Sequence, residues 1–196
     1  LIRSGRISAH LTEVERFTET GLLLHDGDEI SADCVVFGTG WKSDYSFLSQ
    51  EILDVLGQDD DGFYLYRHML HPDLPNLVFL GRASTFLSIV TYSLQARWLA
   101  EAVSGRVALP DRAAMLEEIS LMQHWKRGWM PFSSARSARI LLHMANYHDE
   151  LLRDFGANPL RKKGIFAPLK ELLAPYQSSD YREIVSGDWR DRPMSA

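Results

Sequence analysis

Cys34 is the only cysteine in the chain, so no internal disulfide can form and a reducing, cytoplasmic setting fits. No apolar run approaches the roughly 20 residues that a bilayer-spanning helix needs, and no signal peptide is visible, which argues against a membrane protein. Positive charge is also scarce: 21 Lys and Arg against 26 Asp and Glu leave a net charge of −5. Phosphate recognition needs concentrated Lys and Arg, so a general nucleic-acid surface is excluded. Metal-ligand patterns are missing too. His143 and His148, like His68 and His71, lack the spacing for a shared ion. Asp59-Asp60-Asp61 lacks the alternating ligands and distal Glu of a calcium loop and reads as a solvated turn. No catalytic triad is evident.

What the chain does contain is core material. A hydrophobic content of 45%, with five Trp, nine Phe and seven Tyr in 196 residues, exceeds what a solvated chain carries. One large domain or two small ones could be built from it. Leu1-Ile2-Arg3-Ser4-Gly5 reads like a helix end with Gly5 as its cap, so the chain is expected to be a fragment that begins mid-domain.

The organising stretch is Asp33-Cys34-Val35-Val36-Phe37-Gly38-Thr39-Gly40. A short apolar run of this kind suits a strand buried on both faces of a parallel sheet, with Cys34 as a small buried residue. Glycines at its end let backbone N–H groups approach a ligand, although an ordinary glycine turn reads equally well. Gly38-Thr39-Gly40-Trp41-Lys42-Ser43 imitates a dinucleotide fingerprint weakly, because Ser43 stands where a third Gly or Ala belongs. Upstream, residues 6–11 and 14–18 read as strands. Residues 22–25 and 29–30 flank Asp26-Gly27-Asp28, a hairpin signal.

Beyond Trp41, residues 47–56 read as a helix and 63–68 as a strand, with Pro72 and Pro75 forcing an extended linker. Leu77-Val78-Phe79-Leu80-Gly81 repeats the theme of an apolar run closed by glycine, so two strand ends could meet one ligand. The loop Arg82-Ala83-Ser84-Thr85 then leads into a helix over 88–104 with Val90, Leu94, Trp98 and Ala102 on one face and Gly105 at its stop. Small hydroxyl residues there suit an anion or polar-edge site, while Ser84 and Ser88 could equally cap the helix. Downstream, Asp111 predicts the cap of a helix carrying Met115, Ile119 and Met122, and residues 140–155 predict another that ends at Gly156. His124, Trp125, Trp129 and Phe132 either pack this tail onto the sheet or line a substrate pocket. Arg161-Lys162-Lys163 reads as a solvated turn, 169–173 as a short helix and 190–196 as a frayed end.

Residues 33–41 resemble the Phe-Ala-Thr-Gly-Tyr motif, with its preceding strand, of the flavin-containing monooxygenases of the N,N-dimethylaniline type. Gly38 replaces the usual Ala and Trp41 the usual Tyr. Leu65-Tyr66-Arg67-His68, Pro75-Asn76-Leu77-Val78-Phe79-Leu80-Gly81 and Leu94-Gln95-Ala96-Arg97-Trp98 resemble the same family in order and spacing. The resemblance implies an α/β fold, part of a Rossmann-like flavoprotein with two dinucleotide-binding domains and a mainly helical C-terminal extension. Residues 1–41 would end the NADPH-binding domain, 42–110 complete the FAD-binding domain, and 111–196 form the extension. It further implies NADPH reduction of FAD, then oxygen addition giving a C4a-hydroperoxyflavin that oxygenates an amine nitrogen or sulfide. Gly38, Thr39 and Gly40, and the loop Gly81, Arg82, Ser84 and Thr85, would touch the cofactors, with Gln95 supporting. The family's two Gly-x-Gly-x-x-Gly fingerprints are not in this sequence, so the isolated chain is expected to be inactive. A pyridine-nucleotide-type flavin reductase and a non-catalytic helical interaction module remain alternatives, and self-association is left open.

Overall fold

A computed structural model describes residues 1–38 and 44–187, and contact density divides the chain into two units, Leu1–Ser43 and Asp44–Ala196. The first unit holds an antiparallel meander of β1 (Val14–Phe17), β2 (Gly21–Leu24) and β3 (Glu29–Ser31). Its second turn is the Asp26-Gly27-Asp28 hairpin. Gly27 takes φ +90, where a side chain would be strained, and its N–H donates to the Leu24 carbonyl at 2.9 Å. Leu22 pairs with Ile30, and a bulge between Val14 and Arg16 interrupts the other ladder.

Two expectations in this unit fail. Residues 6–11 form no strand, and neither do residues 34–37. A strand exists only through its neighbours' hydrogen bonds, and no described residue pairs with the Cys34 stretch. Cys34 is exposed, as are Val36 at 88% and Phe37 at 68%, so the buried parallel strand is not found.

The second unit is helical: α1 (Gln50–Leu56), α2 (Ser88–Val103), α3 (Arg112–Trp129), α4 (Met144–Asp154), α5 (Ala167–Leu173) and α6 (Arg182–Ser186). Each of the longer helices follows its sequence signal. Val90, Leu94 and Trp98 share one buried face of α2, and Gly105 follows the helix at φ +71. Asp111 caps α3, its carboxylate accepting from the Ala114 N–H at 2.9 Å. In α4, Tyr147, Leu151 and Leu152 recur at helical spacing and pack with Leu94, Trp98, Tyr181 and Ile184 in the main core. A smaller cluster joins Leu56, Phe63 and Leu65, with Tyr45 and Phe79 against Phe63 at ring separations of 4.9 and 5.2 Å.

Residues 63–68 and 77–80 are not strands; each makes one isolated bridge to Leu70, through Tyr66 and Val78. The physical reason is a corner. Arg67 and His68 adopt left-handed φ values of +49 and +56, uncommon for residues other than glycine, and turn the chain back before a ladder can extend. Arg67 is held there by the Asp154 carboxylate, with contacts of 2.7 and 3.1 Å, and by Glu118. Burial opposes its charge, and these carboxylates more than offset that, raising its pKa.

Charge also corrects two other readings. Asp61, 2% exposed, is no solvated turn residue: it accepts from Tyr64 at 3.0 Å, from Arg127 at 2.7 and 3.0 Å and from Arg136 at 3.3 Å. Arg161-Lys162-Lys163 pairs with Asp149, Asp180 and Glu183, and Arg161 is buried over the Tyr176 ring at 3.8 Å. Residues 190–196 lie outside the described residues. No described helix is long and apolar enough to cross a membrane.

Asp61→Asn strips the charge that Arg127 and Arg136 share and leaves buried donors uncompensated, so the chain should lose about 3 kcal/mol of stability in urea denaturation. A change within about 0.5 kcal/mol would mean that this contact is an ordinary surface pair.

Candidate functional site

The apolar run 77–80 ends at Gly81, whose φ of +80 favours glycine. Its N–H donates to Gln95 Oε1 at 3.0 Å. Gln95 Nε2 donates to the Tyr147 hydroxyl at 2.7 Å, and that hydroxyl donates to the Arg67 carbonyl at 2.7 Å. Gln95 is fully buried and Tyr147 nearly so. One buried relay therefore fixes the glycine, α2, α4 and the left-handed corner together, and burial raises the Tyr147 pKa.

Arg82 follows directly. Its guanidinium stacks over the Phe63 ring at 3.9 Å and donates to Tyr45 at 3.2 Å and Ser137 at 2.6 Å. No carboxylate among the described residues pairs with it, and its buried Nη1 has no hydrogen-bond partner there. Burial pulls its pKa down. A cation so placed is electrostatically incomplete and suits an anionic or carbonyl oxygen.

Ser84 is exposed, and its backbone bonds Ala138 and Ile140 at 2.8 and 3.1 Å. Thr85 is buried, and its hydroxyl is taken up in a chain running through Thr91 (2.9 Å) and His148 (2.8 Å) to Tyr181 (2.8 Å). Neither Ser84 nor Ser88 caps α2 by its side chain: Leu87 is the N-cap, and Ser88 donates to the Thr85 carbonyl. Gly38 belongs to the first unit, is exposed, and has open space where a Cβ would point. Thr39 and Gly40, with Trp41, lie outside the described residues.

Three residues of this region carried no sequence signal. Lys126 lies in the last turn of α3 between Trp125 and Arg127 yet is wholly buried, donating to the Ser137 carbonyl at 2.8 Å. Burial, then the nearby Arg82 charge, lowers its pKa from 10.5 to about 7. His68 and His143 are pushed toward the neutral form, chiefly by burial and secondarily by Lys126, His143 to about 4. Trp125, Trp129 and Phe132 are not packed away, with exposures of 45%, 42% and 70%. Their clustering in sequence offered packing and pocket readings alike, and Trp125 lines a cavity with His68 and His143.

Comparison with known proteins gives the family. The chain matches the flavin-binding monooxygenase-like family (FMO-like) over residues 2–192, and it belongs to that family. Dimethylaniline monooxygenase [N-oxide-forming] 2 of Mus musculus is 32% identical over 186 residues, covering 91% of this chain and 34% of the relative. The probable flavin-containing monooxygenase 1 of Arabidopsis thaliana is 28% identical over 169 residues, 85% of this chain and 31% of that protein. The chain thus spans about a third of the length of these relatives. The S-allyl-L-cysteine S-oxygenase of Allium sativum shares its fold at a TM-score of 0.61 and 23% identity, over 93% of this chain and 38% of that one.

Because Lys126 releases its proton more readily in the folded chain, stability should rise with pH above about 7, by at most about 1.4 kcal/mol per unit. Lys126→Met should flatten that rise in urea midpoints taken between about pH 7 and 9, below the unfolded lysine value of about 10.4. The same slope in both proteins would show that Lys126 is not held neutral.

Proposed function

We propose that this chain forms part of an FAD- and NADPH-dependent monooxygenase that oxygenates soft nucleophiles, an amine nitrogen or a sulfide sulfur, with O2. Family membership supports the flavin. The two reaction types follow the names of its relatives, one forming N-oxides and one acting as an S-oxygenase. The observation that carries the reading is Arg82: a half-buried guanidinium whose Nη1 has no described hydrogen-bond partner and no described carboxylate, beside a glycine, suits the oxygen-rich edge of a flavin.

On this reading Gly81 lets the cofactor approach backbone, Arg82 binds an oxygen of it, and the exposed Ser84 hydroxyl offers a further donor. Thr85 shapes the loop, since its own hydroxyl is bonded to Thr91. By their likeness to the family motif, Gly38, Thr39 and Gly40 are assigned to cofactor binding as well. Residues 1–41 close the NADPH-binding domain, 42–110 complete the FAD-binding domain, and 111–196 brace the loop from behind through Tyr147. When bound, the flavin supplies the redox chemistry, taking electrons from NADPH and activating O2 for transfer of one oxygen atom. The residues of this chain bind and orient it. Lacking the Gly-x-Gly-x-x-Gly fingerprints, the isolated chain turns nothing over.

The full-length protein that carries this chain should purify yellow and oxidise NADPH faster when an amine or sulfide is added. Arg82→Met should weaken FAD retention about tenfold, equivalent to about 1.4 kcal/mol. A colourless protein that leaves NADPH untouched contradicts the reading.

A further inference from the structure

A cavity of about 300 Å³ lies between the linker 70–78, the C-terminal half of α2 and the start of α3, at the lower end of the size range of small-molecule sites. Leu70, Val78, Leu99, Ala102, Leu109 and Met115 give it apolar walls, and His71 supplies a polar one. We propose that this cavity binds a small, uncharged molecule with an apolar body and one carbonyl oxygen, which accepts a hydrogen bond from the His71 ring.

A free donor carries the argument. Of the lining side chains, His71, Trp98 and Arg112 carry nitrogen. The Trp98 N–H is committed to Asp154 at 2.8 Å, and Arg112 holds Asp73, its Nη2 donating to Oδ2 at 2.8 Å. In His71 the Asp73 N–H donates to Nδ1 at 3.3 Å, so the proton of the neutral ring sits on Nε2. Burial keeps the ring neutral by lowering its pKa. Nε2 has no partner among the described residues, yet it is not sealed off: His71 is 8% exposed, and this nitrogen retains accessible surface.

The walls decide what completes that N–H. Water does so poorly, because an ordered water needs two to four polar partners and the surroundings are apolar. Pro72 and Pro75 stiffen the linker, and the Arg112–Asp73 pair ties it to α3, so the cavity stands formed before a ligand arrives. Charge of either sign is disfavoured. A carboxylate would lose its water against apolar walls and meet Asp73 beside His71, and a cation would find Asp73 already taken by Arg112. An uncharged carbonyl group avoids both costs. Neither Gly81 nor Arg82 lines this cavity, so the site does not rest on the flavin reading.

The probe is para-fluoroacetophenone, and its isostere is para-fluoro-α-methylstyrene, in which a methylene group replaces the carbonyl oxygen. Titrated by fluorine NMR into the full-length protein that carries this chain, without NADPH, the ketone should bind saturably with a Kd below about 1 mM. The alkene should bind about fivefold more weakly, the worth of one neutral hydrogen bond, and para-fluorobenzoate at least about tenfold more weakly. His71→Phe keeps a ring and removes the N–H, so it should lower the ketone to the affinity of the alkene and leave the alkene unchanged. Leu109→Trp, at an exposed position on the rim, should weaken both uncharged probes about tenfold by filling the space, and it decides if His71→Phe does not fold. No saturable binding below about 1 mM, equal affinity for ketone and alkene, benzoate bound as tightly as the ketone, or a ketone affinity indifferent to the deciding variant overturns the proposal.

Discussion

The Tyr147 hydroxyl is the point on which the larger unit depends. It accepts from Gln95 and donates to the Arg67 carbonyl, while Gln95 in turn accepts the Gly81 N–H. None of these groups reaches water easily, so each bond removed would leave a buried donor or acceptor without a partner. Helix α4 belongs to the C-terminal third of the sequence, yet through this hydroxyl it sets the position of a loop 66 residues upstream, the difference between 147 and 81. The tail is therefore part of the scaffold of the candidate site.

Around that relay, cations fall into two groups. Arg67 and the pair Arg127 and Arg136 are neutralised by carboxylates and act as rivets, fastening α3 and α4 to the 61–68 segment. Lys126 is buried and Arg82 half-buried, with hydroxyl, carbonyl and aromatic neighbours, and no carboxylate among the described residues pairs with either. Burying charge without a counter-charge costs free energy, which is why both pKa values fall. A fold held together elsewhere by paired charges spends that energy where chemistry is expected.

Local signals were legible in the sequence wherever the determinant was local. Asp26-Gly27-Asp28 gave the hairpin, Asp111 the start of α3, and the spacing of Val90, Leu94 and Trp98 the buried face of α2. Gly81 was recognisable as the end of an apolar run. The absence of strands over 34–37 and 77–80 was not recoverable, because an apolar run becomes a strand only when neighbours pair with it, and composition does not report neighbours. Partners remote in sequence decided the rest. Asp61 meets Arg127, Arg161 meets Asp149 and Tyr176, and Lys126 is buried against the 136–137 backbone. His68 was hidden for another reason: nothing in Leu65-Tyr66-Arg67-His68 announces a left-handed backbone at a residue that is not glycine.

If the relay couples α2 to α4, then Gln95 and Tyr147 cannot be energetically independent. A double-mutant cycle with Gln95→Leu and Tyr147→Phe, read by urea denaturation, measures this directly. A coupling energy of about 1–2 kcal/mol is expected between the two positions. Additivity within about 0.3 kcal/mol would show that loop and tail are held separately and that the hydroxyl is not the link between them.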